Sequence, residues 1–186
     1  MGLLLSPRAN FSLAWDFQQK GAPVGDLFQF ASGLYFRGKL AYARAFGRAP
    51  LGGFGALAIV PGRGLMNVDE MITVDQLKAM AQVPVDLDDE RYRMPLERDA
   101  RVLARLLGKS GEAVLLGSIA TGKYVDIIES HFDGRLRFPC DFVGRGDMSR
   151  GGLMLRCVLH RKELEYIPIA GATRHGKKPP RLRPLR

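Results

Sequence analysis

Apolar residues along the chain occur in short runs whose spacing switches between helical and strand periods. From Asp26 to Phe46 they recur three and four residues apart, at Leu27, Phe30, Ala31, Leu34 and Tyr35. That spacing predicts one helix, stopped by Gly47 and broken at Gly33 or Gly38. Ala56 to Val60 is a continuous apolar run closed by Pro61 and Gly62, the mark of a buried strand, and Glu112 to Leu116 is a second. Thr73 stands at capping-box distance from Gln76 and predicts a helix to about Gln82. Pro95 suits a first helical turn, so a further helix is expected through Leu96, Ala100, Leu103 and Leu107 to Gly108. Lys123 to Phe132 reads as another helix, and the apolar stretch Asn10 to Phe17 reads as a strand.

Beyond Gly134 the period changes. Leu136 to Phe138 is strand-like, and Leu153 to His160 and Glu163 to Ile169 alternate around Arg161 and Lys162 as the two arms of a hairpin. Strands alternating with helices predict an α/β fold: a single three-layer domain with a mainly parallel sheet and a C-terminal antiparallel hairpin.

Charge divides the chain. The net charge is +9, yet the last thirteen residues hold six cations, Arg174, Lys177, Lys178, Arg181, Arg183 and Arg186, and no acid. The expected organisation is therefore one domain over residues 1–173 and a basic, proline-containing tail over 174–186. Such a balance points to an anionic partner. Cys140 and Cys157 are too few for a disulfide framework and form no zinc-ligand spacing. No apolar run reaches the eighteen or so residues of a membrane span. These features together predict a cytoplasmic protein without a membrane partner, and they leave its oligomeric state open.

The chemistry concentrates in three glycine-rich, cationic segments that follow apolar residues: PGRG at 61–64, GSIATGK at 117–123 and GRGDMSRGG at 144–152. At the carboxyl edge of a parallel sheet, glycine lets backbone N–H groups approach an anion, and a following helix adds its N-terminus. Arg63, Ser118, Thr121, Lys123, Arg145 and Arg150 are the candidate phosphate ligands. The middle segment has the order of a phosphate loop, but Tyr124 follows Lys123 where a magnesium-holding Ser or Thr would stand. Asp147, between Arg145 and Arg150, is a candidate general base or magnesium ligand, with a turn or helix cap as its plain alternative. Asp126 shares a helix face with Glu129 and is a second candidate catalytic carboxylate. His131, His160 and His175 are scattered and show no triad or metal order.

At GSIATGKYVD (117–126) and FVGRGDMSRGGLML (142–155) the chain resembles an uncharacterised bacterial protein family. The resemblance implies a bacterial origin and attaches no activity. Two functions follow from the residues. One is an α/β protein binding a nucleotide or nucleic-acid component, extending to hydrolase or transferase chemistry, with magnesium as a candidate cofactor. The other is a noncatalytic nucleic-acid-associated module whose tail supplies the affinity.

Overall fold

The computed structural model describes residues 2–174, 176–180 and 182. His175, Arg181 and residues 183–186 of the basic tail lie outside the described residues. The first element, α1 (Ser12–Lys20), replaces the expected strand over Asn10 to Phe17. Ala14 and Phe17, one helical turn apart, are buried, whereas Trp15 between them is 58% exposed. That face is helical, but so short a stretch displays its period only once. After β1 (Ala22–Pro23) comes α2 (Val24–Phe46), the expected long helix, interrupted at Gly33 with φ 63° and ψ −142°. That conformation is open to glycine and strained for any other residue.

β2 (Leu57–Val60) is present, but Pro61, Gly62 and Arg63 turn it directly into β3 (Gly64–Asn67), and the two pair antiparallel with Val60 opposite Gly64. β4 (Met71–Ile72) pairs antiparallel with β1. α3 (Val74–Ala81) opens with the expected capping box, Thr73 Oγ1 accepting from the Gln76 N–H and Gln76 Oε1 from the Thr73 N–H. α4 (Glu90–Leu106) begins ahead of Pro95 because Asp89 caps it, its carboxylate accepting the Arg91 N–H at 2.9 Å.

β5 (Ala113–Val114), α5 (Gly122–Glu129) and β6 (Leu136–Pro139) form a short crossover unit. β5 and β6 are parallel, and β7 (Tyr166–Pro168) joins the other edge of β6 antiparallel. Between β6 and β7 lies α6 (Asp147–His160), where the sequence pattern predicts a loop and the first arm of a hairpin. Gly151 and Met154 are buried, and Leu153, Cys157 and Val158 pack beside the core, a three-and-four spacing that also happens to alternate. Arg161, left-handed at φ 51°, ends the helix, and the Lys162 N–H closes onto the Cys157 carbonyl. The expected turn is therefore a helix cap.

The fold is mixed α/β. The expected mainly parallel, three-layer sheet is not formed: three small sheets replace it, and β5 with β6 is the one parallel pair among the described residues. A tight turn can only reverse the chain, whereas a parallel neighbour needs a crossover. β2 and β5 accordingly belong to different sheets.

Burial divides into two clusters. Leu4, Phe17, Leu27, Leu40, Val60, Met66, Ile72 and Leu77 form one. Tyr92, Leu96, Val125, Phe132, Phe138, Phe142 and Met154 form the other, joined by Tyr42 of α2. α2 thus serves both, and it meets α6 glycine to glycine. A β-carbon at Gly38 would lie 2.6 Å from the Gly151 carbonyl oxygen, and one at Gly151 would lie 2.6 Å from the Leu34 carbonyl oxygen.

Because both obstacles are backbone, Gly38→Ala is expected to separate the helices rather than be absorbed by a side-chain shift. The expected destabilisation is about 1–3 kcal/mol, read from the urea midpoint. An unchanged midpoint would show that the helices tolerate a wider crossing.

Candidate functional site

The α2 stripe that continues past Gly33 carries Tyr35, Lys39, Tyr42 and Phe46 at helical spacing, so a lysine occupies a position in an otherwise aromatic face. Its Nζ lies 4.0 Å from the centroid of the Tyr35 ring, a cation–π contact that offsets part of its lost hydration. Burial lowers the Lys39 pKa from its ordinary 10.5 to about 8; Asp147 opposes the shift and Arg150 adds to it. Burial also pushes Tyr35 up to about 12, despite the neighbouring Arg150 guanidinium.

The close crossing of α2 and α6 brings Arg150 to this place. Its side chain is only 11% exposed. Nε donates to the Phe142 carbonyl at 3.2 Å, the guanidinium lies 5.6 Å from the Phe142 ring centroid, and NH1 is 3.7 Å from Asp147 Oδ1. Asp147 is the first residue of α6, with its side chain 67% exposed. Gly146 supplies no side-chain cap, so the first-turn N–H groups of α6 carry the positive end of the helix dipole. Arg145 is tied into the same turn, Nε donating to the Asp141 carbonyl at 2.8 Å and NH1 to Ser149 Oγ at 3.3 Å.

The middle glycine segment approaches from the other side. The Tyr35 hydroxyl donates to the Leu116 carbonyl at 3.2 Å, and the Tyr124 hydroxyl donates to the Ser118 carbonyl at 2.6 Å. Gly117 lies against the Tyr124 phenol, leaving no room there for a β-carbon. Burial raises the Tyr124 pKa, with Arg150 and Asp147 both close enough to modulate it. Ser118 Oγ accepts from the Ala120 N–H at 3.3 Å, while Thr121 and Lys123 are exposed at the start of α5 and Thr121 makes no side-chain cap. The Tyr124 phenol therefore bonds to the loop that a phosphate would enter.

Two of the three glycine segments thus converge. The third stands apart: Arg63 sits on the turn between β2 and β3 and approaches Glu70 at 3.8 Å. Asp126 pairs with Arg174 at 3.1 Å in a cleft of about 560 Å³ that Glu129 also lines. Burial raises the Glu129 pKa, and its Oε2 is buried without a partner, as is His131 Nε2. Among the described residues, no group of three or more His, Cys, Asp or Glu is placed to hold a metal ion. No helix there is long and apolar enough to cross a membrane. Lys39, Tyr35 and Tyr124 are absent from the sequence-derived candidates. The readable signal for them is the lysine inside the stripe of Tyr35, Tyr42 and Phe46.

Lys39 makes stability depend on pH. Below about pH 8 folded and unfolded chains both hold the proton, and the fold bears the full burial penalty. Between about 8 and 10.5 the unfolded chain binds more protons, so stability rises with pH. Tyr35 and Tyr92, both at about 12, reverse the trend above about pH 10, where unfolded tyrosines ionise first. Burial also raises the Cys140 and Cys157 thiols above their ordinary 9.0, which lowers stability over the same range, so urea midpoints from about pH 8 to 9.5 are expected to fall in Lys39→Met and to fall less, or rise, in the wild type. A wild-type profile that runs parallel to that of the variant would contradict the burial of this amine.

No family model matches the chain, and neither a curated protein nor a solved structure does.

Proposed function

We propose that the α2–α6 crossing binds the phosphate of a nucleotide or nucleic-acid component. The observation that carries this reading is the half-buried Lys39 ammonium beside the largely buried Arg150 guanidinium, with exposed Asp147 as the nearby carboxylate. Lost hydration is the main cost of the Lys39 charge, and the Asp147 carboxylate offsets it by more than Arg150 adds, so a second anion at this place lowers the cost further. Arg150 offers planar, bidentate donors and Lys39 a point charge, while the uncapped first turn of α6 adds backbone N–H groups. Both strings behind the bacterial resemblance, 117–126 and 142–155, contribute to this place.

Titration calorimetry with inorganic phosphate and with thymidine monophosphate tests the reading. Both are expected to bind at pH 7 and to weaken as pH rises through about 8, where Lys39 loses its proton. Lys39→Met and Arg150→Ala are each expected to weaken binding about tenfold or more, the worth of one charge-assisted hydrogen bond. Arg63→Ala, in a separate sheet, is expected to leave affinity unchanged. Binding that survives both site substitutions would remove the site from consideration.

A further inference from the structure

The basic tail meets the α6 turn rather than leaving the body. Arg174 reaches Asp126 of α5. Gly176 packs against the Val143 side chain, the Lys177 carbonyl oxygen occupies the space where Gly144 would carry a β-carbon, and Leu182 lies against Gly152. Gly144 is at φ 72°, so the close passage of the tail and the backbone conformation both call for glycine at this position. Lys177 and Lys178 are exposed on this segment, and Pro179 and Pro180 follow, holding it extended. The described tail therefore runs from α5 across the turn that holds Arg145 to the first turns of α6, which carry Arg150. Its exposed cations, Lys177 and Lys178, stand beside the turn that leads into α6.

We propose that the ligand of this site is a nucleic-acid strand, with one phosphate at Lys39 and Arg150 and the adjoining phosphates along Lys177 and Lys178. The inference rests on the phosphate site proposed above. A free mononucleotide would leave the tail cations without a counter-charge, whereas a strand presents phosphates in a row. Gly146, exposed at the start of α6, has open space where a β-carbon would stand, so a sugar–phosphate backbone can approach the turn there.

The test uses the full chain and fluorescence anisotropy with labelled oligothymidylate and oligouridylate of about 12 nucleotides, within the site sizes of single-strand binders. Thymidine monophosphate and polyglutamate serve as competitors. The oligonucleotides are expected to bind at least about tenfold tighter than the mononucleotide, by linking further phosphates to the first. The tighter of the two names DNA or RNA as the source of the strand. In the double variant Lys177→Ala, Lys178→Ala the slope of log affinity against log salt is expected to fall by about 1.4, at about 0.7 for each phosphate that is no longer neutralised. The weakening should be confined to the oligonucleotide. An unchanged slope, an oligonucleotide no tighter than the mononucleotide, or equal competition by polyglutamate overturns the strand while leaving the phosphate site standing. If the mononucleotide does not bind wild-type protein, the site itself is lost and the strand path with it.

Discussion

Gly38 against Gly151 is the contact on which the arrangement of this protein turns. With no side chain on either residue, two helix backbones meet directly, and their neighbours in sequence, Lys39 and Arg150, are drawn into the same space. Side chains larger than hydrogen would hold α2 and α6 apart, and the cations would each find water. Tyr35 lies under Lys39 because the two stand four residues apart on α2, and the same approach sets the Tyr35 backbone against Gly151 and its phenol near Arg150. Geometry at a pair of glycines thus produces electrostatics at a pair of cations.

The cations are tolerated because each has a partial substitute for hydration. Lys39 has the Tyr35 π-face, and Arg150 has the Phe142 carbonyl and ring. Neither substitute is an anion, and Asp147 at 3.7 Å from Arg150 is mostly in solvent. Elsewhere α2 is handled differently. The Tyr42 hydroxyl accepts the Leu164 N–H at 2.7 Å and pairs with the Tyr166 hydroxyl at 2.6 Å, which in turn bonds Glu163. Polar atoms at that end of the helix are satisfied by the protein alone. The contrast along one helix separates an end whose polar groups are paired from one whose cations are only partly compensated.

Local signals are legible in the sequence and long-range ones are not. The Thr73–Gln76 box, the break at Gly33 and the strand at Leu57–Val60 are set by nearby residues and are present as expected. α1 and α6 mislead because Phe11, Leu13, Trp15 and Phe17, and Leu153, Leu155 and Cys157, also alternate over a short window. Sheet membership depends on which strands meet, and nothing local tells β2 that its partner is β3 rather than β5. At the site, Arg145, Arg150 and Asp147 announce themselves by charge among glycines. Lys39 does not, since its environment is made by a helix far later in the chain.

The two buried clusters also follow one another along the chain. Residues 4–80 supply the first and 92–169 nearly all of the second, with Tyr42 as the exception. A chain leaving the ribosome from its N-terminus can consolidate the first cluster while the second is still being made. During that interval the later part of α2 stands without α6 over Lys39 and Tyr42. The chemical character of Lys39 is thus acquired late in biosynthesis, when α6 emerges and docks.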